Sequence, residues 1–346
     1  MEPLQGKSLI VNDTQYNIQI DKLFKVLGIS NLIRETQAIT GGLLHKMYGI
    51  QTDKGNYAVK ALNPQIMRRP GVIQALINSE RIATHLSNSI PALAAISFNG
   101  NVLNCIDGQY YMVFNWVDGK SLKPDEIKPE HCRVMGNYLA KIHSTDYSGF
   151  GMADRPWNDK PEADWNYYLK KGLESDSAWS LNLNENIDNL CLWNQQSLEA
   201  LKILHSDRVI SHRDLDSKNV LWNQGKPVII DWESVGYVNP LQELIEVLIY
   251  WSEDSEGNPV KDKFISVLNG YKECSIIQKI DRKLILQSGY LSKLDWLEYN
   301  LKRSLGFECV NTEEQALGTS QVTETMKSLL NYARRVPVLE EWLEDS

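Results

Sequence analysis

Cysteine is scarce and scattered in this chain. The five residues, Cys105, Cys132, Cys191, Cys274 and Cys309, show none of the paired spacings of a metal site. An odd, low number suits a reducing compartment better than a disulfide framework. Long apolar runs are missing too. Stretches such as Val247-Leu248-Ile249-Tyr250-Trp251 fall far short of the roughly 20 residues that span a bilayer, and the mean hydropathy is -0.35. Met1-Glu2-Pro3-Leu4-Gln5 offers no basic stretch followed by an apolar one, so no secretion signal is expected and the cytoplasm is the expected location. Nor is there an excess of basic charge. The net charge of -8 argues against nucleic acid, whose binders carry a basic face, and no membrane partner is expected either. Internal repeats and low-complexity tracts are absent. What remains is 346 residues, 42% of them hydrophobic, enough to bury a sizeable core in two lobes or domains.

The most informative segment is Ser211-His212-Arg213-Asp214-Leu215-Asp216-Ser217-Lys218-Asn219, followed by Val228-Ile229-Ile230-Asp231. A His-Arg-Asp with an Asn five positions after the Asp has the form of a phosphoryl-transfer loop. In such a loop the Asp handles an acceptor hydroxyl and the Asn holds a magnesium ion. Asp214 is therefore the candidate catalytic residue. The surroundings suit this. Arg208-Val209-Ile210 leads in as a short strand. Val220-Leu221-Trp222, the turn Asn223-Gln224-Gly225-Lys226, and Pro227 to Ile230 read as a hairpin. That hairpin returns Asp231 beside Asn219, so both are candidate ligands of one metal ion.

Upstream, the chain supplies a nucleotide-binding half. Thr40-Gly41-Gly42-Leu43-Leu44 is a short glycine loop after the β-leaning Thr36 to Thr40. Gly41 and Gly42 have no Cβ, so backbone amides there can approach phosphate oxygens closely; a plain Gly-Gly hairpin turn is the other reading. Met47 to Thr52 and Tyr57-Ala58-Val59-Lys60-Ala61 read as a hairpin about Asp53-Lys54-Gly55-Asn56. Lys60 then sits where a phosphate-binding lysine sits on the third strand. Val72 to Leu86 reads as a helix, and Glu80 on it is the only acidic residue between Asp53 and Asp107. A kinase needs one carboxylate on this helix to aim the strand lysine at the α- and β-phosphates, so Lys60 and Glu80 are the expected pair.

With these residues in view, the sequence resembles the aminoglycoside phosphotransferase and choline kinase group of small-molecule kinases. The resemblance runs roughly from Ile33 to Tyr250. It rests on Gly41-Gly42, Tyr57-Ala58-Val59-Lys60, Tyr111 to Gly119, Leu139-Ala140-Lys141-Ile142-His143, the His212 loop and Ile230-Asp231-Trp232-Glu233. Asp231 is followed by Trp232-Glu233 and not by Phe-Gly, and no Ala-Pro-Glu closes an activation segment. Asp216 stands where Ser/Thr kinases carry lysine, so protein-kinase activity is disfavoured. Two departures from the group stand out: Arg213 where glycine is commoner, and Gln242-Glu243-Leu244 where an Asp-Leu pair is usual.

The resemblance implies an α+β, protein-kinase-like two-lobed fold. A small antiparallel-sheet lobe would span residues 1–114, a hinge 115–119, and a larger, mostly helical lobe 120–346. It implies Mg2+ with ATP or GTP between the lobes, backbone groups near Asn115 and Val117 facing the base, and a small-molecule hydroxyl acceptor. The sequence leaves Asp216 and Glu233 as further candidates near the metal or acceptor, and reads His212 and His143 as packing residues. Helices are expected over 130–143, 195–205, 241–251, 261–272, 276–289, 291–305 and 323–335. From Asp146 to Glu199 ten acidic residues face four basic ones. In this group the corresponding insert helps to form the acceptor pocket, so a cationic, aminoglycoside-like acceptor is expected, aided by Trp157, Trp165 or Trp179. A solvated acidic surface is the competing reading. Asp295-Trp296-Leu297-Glu298-Tyr299 is a second possible acceptor wall. A choline, ethanolamine, sugar or macrolide kinase remains open, as does a catalytically silent nucleotide-binding module.

Overall fold

The computed structural model describes residues 16–29, 37–39, 44–152, 161–275 and 281–344. The chain divides into two compact units. One takes Met1–Val72, Ile96–Trp116 and Cys309–Thr312, the other Ile73–Ala95, Val117–Glu308 and Glu313–Ser346.

In the first unit, helix α1 (Ile20–Leu27) precedes strands β1 (Gln37–Ile39), β2 (Lys46–Thr52) and β3 (Gly55–Ala61). A short helix α2 (Pro64–Met67) follows, then β4 (Asn104–Ile106) and β5 (Gln109–Asn115). The strands form one antiparallel sheet in the order β1-β2-β3-β5-β4. Asp107 and Gly108 carry φ of 48° and 84°, the two left-handed residues that a tight β4–β5 hairpin requires. Alternation puts Val59 and Ala61 of β3 and Tyr111 and Val113 of β5 on one face, where Leu23 and Phe24 of α1 cover them. The Tyr111 hydroxyl holds the chain before α1, accepting from the Gln19 N–H at 2.8 Å and donating to the Asn17 carbonyl at 2.9 Å. Lys60 lies on the opposite face of β3, in register with Met47 and Met112.

The second unit begins within α3 (Val72–Leu86) and continues through α4 (Pro129–Ser144), α5 (Trp165–Glu174), α6 (Ser180–Glu185) and α7 (Ile187–Leu204). Four short strands come next: β6 (Val209–Ser211), β7 (Val220–Asn223), β8 (Lys226–Ile229) and β9 (Gly236–Val238). They pair antiparallel as β6 with β9 and β7 with β8. Helices α8 (Pro240–Ser252), α9 (Lys261–Lys272), α10 (Arg282–Ser288), α11 (Leu291–Ser304) and α12 (Thr312–Glu344) complete it. Helix α8 is buried from Gln242 to Ile249 without a break, so it forms the spine of this unit. Helices α4 and α9 approach through glycines. A Cβ on Gly136 would lie 2.0 Å from the Val267 carbonyl oxygen, and one on Gly270 2.0 Å from that of Arg133.

The expected helix over 276–289 is described only from Arg282, its first five positions lying outside the described residues. The last helix is longer than its periodicity suggested and carries Pro337 within it. Among the described residues no helix is long and apolar enough to cross a membrane.

Candidate functional site

Strand β6 delivers the chain into the loop that the sequence singled out, and the loop is held chiefly by bonds to backbone. His212 is fully buried. Its Nε2 donates to the Ile230 carbonyl at 3.1 Å and its Nδ1 accepts from the Asp214 N–H at 3.2 Å, while its ring meets Trp232 edge-on at 4.6 Å. Asn219 turns its amide nitrogen onto Asp214, donating to the carbonyl at 2.8 Å and to the carboxylate Oδ2 at 2.9 Å. The Asn219 carbonyl in turn accepts from the Ile230 N–H at 2.9 Å. The β7–β8 hairpin therefore brings Asp231 back beside the loop, as its turn residues predicted. Asp231 itself adopts φ 62°, ψ 62°, a left-handed conformation at the end of the strand.

Arg213 also has a positive φ, 64°. A glycine takes this conformation without strain, and an arginine does not. The anchor is Glu243, one turn into α8 and 1% exposed, whose Oε1 accepts the Arg213 backbone N–H at 2.5 Å. Its Oε2 meets His143 Nε2 at 2.8 Å, and His143 Nδ1 meets the Tyr271 hydroxyl at 2.9 Å. Burial works against the Glu243 charge, yet the hydrogen bonds from His143 and the loop outweigh it and hold its carboxyl below the ordinary value. Gly236 leaves room for the Arg213 side chain, since a Cβ there would lie 2.8 Å from Nη1. Glu243 was visible in the sequence only as a departure from a family pattern. The stronger signal is that this carboxylate, like Glu246 one turn on, lies inside a helix that is apolar for most of its length.

Charge collects on this loop. Lys218 Nζ lies 3.5 Å from Asp214 Oδ1 and 3.6 Å from Asp216 Oδ2. Burial opposes its charge, but the two carboxylates prevail and its pKa is raised. The Asp214 carboxyl is also raised, first by burial and then by the charges of Asp216 and Asp231, against the pull of Lys218 and His212. Asp216 caps the turn that follows it, accepting from the Lys218 N–H at 3.3 Å. Among the described residues no three His, Cys, Asp or Glu side chains form a ready metal cage. The donors on offer are the Asn219 amide oxygen, left over once its nitrogen is bonded, and the Asp231 carboxylate. Such a partial set of hard oxygens suits a hard divalent cation that completes its shell with waters and phosphate oxygens.

The remaining predicted residues are placed within their own units. Lys60, 8% exposed, is buried in β3 of the first unit. Glu80, 3% exposed, is on α3 in the second, where its Oε2 accepts the Ala95 N–H at 2.5 Å. Asn115 ends β5 and Val117 opens the second unit. Gly41 and Gly42 lie outside the described residues, as does Trp157. The described acidic residues of the insert, among them Asp164, Glu174 and Asp188, are exposed, and Asp164 is spent on capping α5. Trp165 and Trp179 are core residues, each 2% exposed. The exposure of the described carboxylates of the insert is what the solvated-surface reading expects. On α11, Glu298 is occupied by the Tyr168 hydroxyl and by Lys302, both at 2.9 Å.

Residues 35–276 match the model of a family described as the phosphotransferase enzyme family, APH. Among curated proteins, the chain is similar to stress response kinase A of Salmonella typhi, 22% identical over 249 residues that cover 67% of this chain and 66% of the relative. It is also similar to the serine/threonine protein kinase RdoA of Salmonella typhimurium, 23% identical over 216 residues and 58% of each chain. The match thus spans a little under two thirds of these relatives' length. Among solved structures it resembles spectinomycin phosphotransferase APH(9)-Ia in complex with ADP and spectinomycin. There the TM-score is 0.68 at 13% identity, over 92% of this chain and 99% of that one. At such identity the likeness speaks to the fold, which is protein-kinase-like.

Proposed function

The chain belongs to the phosphotransferase enzyme family, and from that premise we propose that it moves the γ-phosphoryl group of ATP or GTP onto a hydroxyl of a small molecule. The observation that carries this reading is the pair of hydrogen bonds that the Asn219 amide donates to Asp214, with Asp231 returned alongside by the hairpin. In it, Asp214 orients the acceptor hydroxyl. As the acceptor oxygen bonds to phosphorus, the bond from phosphorus to the bridging oxygen breaks, the nucleoside diphosphate leaves, and the hydroxyl proton passes to the Asp214 carboxylate. The transition state of such a transfer is loose, so positioning outweighs base strength. The raised Asp214 carboxyl is suited to receiving a proton late. Lys218, 3.5 Å away, holds the Asp214 carboxylate in place.

Asn219 and Asp231 would hold a divalent ion, Mg2+ in this reading; when bound, it offsets the charge of the phosphates. Lys60 would neutralise the α- and β-phosphates, with Glu80 orienting it, and Gly41 and Gly42 would bring backbone amides to the phosphates. Backbone groups of Asn115 and Val117 would meet the base. The solved complex of APH(9)-Ia with ADP supports a nucleotide co-substrate.

A second reading, phosphoryl transfer to a serine or threonine of a protein, is favoured by the relative named serine/threonine protein kinase RdoA. Against it stand Trp232-Glu233 after Asp231. A nucleoside-diphosphate-release screen with ATP and GTP in parallel, over hydroxylated amines, amino acids, sugars, antibiotics and a Ser/Thr peptide library, separates the two. Asp214→Asn should cost about 10²- to 10⁴-fold in turnover while nucleotide binding persists. Undiminished transfer by that variant would remove the assignment.

A further inference from the structure

A buried polar group ordinarily has a hydrogen-bond partner, and a cluster built on one exception, the Ser292 hydroxyl, among side chains left without a hydrogen bond or ion pair calls for a missing partner. Such a cluster lies beside the Asp214 loop, formed by Glu246 and Tyr250 of α8 and Ser292 and Lys293 of α11. Among the described residues, none of these four side chains makes a hydrogen bond within 3.5 Å or an ion pair within 4.0 Å. Glu246 is 7% exposed. The Ser292 hydroxyl is shut off from solvent and unbonded, although it stands close enough to act on both Glu246 and Tyr250. The Lys293 ammonium lies 5.3 Å from the Tyr250 ring centre and 5.6 Å from that of Tyr332, so two aromatic faces hold it instead of a carboxylate.

The surroundings bound this recess. Glu246 and Tyr250 lie one turn apart on one face of α8, and Glu253 follows just past its C-terminal end. Glu253 is neutralised by Arg335 of α12, which closes the far end with a completed ion pair. At the near end, Trp251 Nε1 donates to the Leu215 carbonyl at 2.9 Å, fixing α8 to the loop that carries Asp214 and Asp216. The charges of Glu246, Asp216 and Asp214 all reach the Tyr250 hydroxyl and, with burial, raise its pKa. Water would satisfy the hydroxyls, but a buried carboxylate and a nearby ammonium kept from direct contact are costly unless something charged joins them.

We propose that this recess holds the acceptor, and that the acceptor is a small zwitterion with a hydroxyl, a free hydroxy amino acid whose ammonium meets Glu246 and whose carboxylate meets Lys293. The proposal rests on the phosphotransferase reading and names its substrate class. The hydroxyl oxygen takes the phosphoryl group, its proton goes to Asp214, and the nucleoside diphosphate is released.

The test compares L-serine and L-homoserine, which carry both charges, with ethanolamine, glycerate and glycerol, which carry one or none. Release of ADP from ATP or GDP from GTP, and calorimetric binding, are read in the full chain with Mg2+. The hydroxy amino acids should lead each singly charged compound by about 10-fold or more, the worth of one charge-assisted hydrogen bond. Lys293→Met should erase the lead over ethanolamine, and Glu246→Gln the lead over glycerate. Lys293→Arg, which keeps the charge, should retain part of it and guards against a folding defect. Equal use of all five compounds, or variants that slow every acceptor alike, would overturn the proposal. So would turnover confined to polyamine sugars or peptides and indifferent to Lys293 and Glu246, which leaves the phosphotransferase reading standing. Binding of the hydroxy amino acid that both variants abolish, with no phosphoryl transfer, keeps the recess and removes that reading instead.

Discussion

Glu246 is the residue at which the energetics of this unit can be tested most directly. Burial pushes its carboxyl up to about 7; Lys293 of α11 and Arg213 of the loop pull it down, and Glu243 on the same helix pushes it further up. In the unfolded chain the same group titrates near 4.5. As pH rises through that interval the unfolded chain gives up its proton first, so the folded protein binds more protons than the unfolded one. Stability must then fall with rising pH between about 4.5 and about 7 and stay lowered above. At about 1.4 kcal/mol per pH unit, the ionised group costs roughly 3 kcal/mol at pH 8. Glutamine has nearly the same shape and no charge to bury. Glu246→Gln should therefore be more stable than the parent by roughly 3 kcal/mol at pH 8 and by under about 1 kcal/mol at pH 5. For a unit of this size that corresponds to a melting temperature about 5–10 °C higher at pH 8. Scanning calorimetry at both pH values measures it. An unchanged or lower melting point at pH 8, or the same gain at both, would refute the burial of an ionisable carboxylate there. A gain in stability joined to a loss of acceptor preference would mark Glu246 as a group kept for function at the expense of the fold.

Glu243 should behave in the opposite sense. Its folded pKa is depressed, so its contribution is present above about 4.5 and fades as the pH falls through the lower folded value. Glu243→Gln should cost about 3–5 kcal/mol near neutrality and flatten the acid limb of a stability profile measured by urea unfolding. Arg213→Gly should gain about 1 kcal/mol in the same assay, because it relieves a left-handed arginine and leaves the backbone N–H to Glu243 intact. Gly270→Ala should destabilise by at least about 3 kcal/mol or leave the chain insoluble, because a Cβ would meet the Arg133 carbonyl oxygen at 2.0 Å with no side chain free to yield. For the proposed Lys60–Glu80 pair, a double-mutant cycle on kcat/KM with Lys60→Met and Glu80→Gln should show about 1 kcal/mol or more of coupling; strict additivity would dissolve the pair.

The elements that position the loop were legible because they are local. Alternating apolar residues about Asn223 to Lys226 produced β7 and β8, and the return of Asp231 beside Asn219 followed from hairpin geometry alone. Helices α3 and α9 coincide with their expected spans because each is a single periodic stretch bounded by a breaker or a polar turn. Strand β9, only Gly236 to Val238, pairs with β6 across more than twenty residues, and three residues carry too little pattern to announce a long-range partner. The acidic insert stayed ambiguous for a related reason. Counting charge along the chain says nothing about direction, and these side chains point outward around buried tryptophans. Conversely, Glu246 and Lys293 are 47 positions apart, and only packing of α8 near α11 sets their charges against one another.

The loop and the recess differ in what holds them, and that difference bears on how one fold serves many acceptors. Asp214 and Asn219 are fixed by bonds to backbone and to each other, and His212 ties the same loop to the Ile230 carbonyl. Substituting any one of them disturbs the others, so the phosphoryl-transfer geometry changes as a unit or not at all. The four side chains of the recess make no hydrogen bond or ion pair with protein, and Lys293 is held only by the Tyr250 and Tyr332 rings, so replacing them breaks none of the bonds that fix the loop. A helix pair can therefore exchange the groups it shows to the acceptor while the loop keeps its geometry. In this chain the polar ends of that pair are one buried carboxylate and one ammonium, and in the proposed role a polyamine or a neutral sugar would leave one of them unanswered.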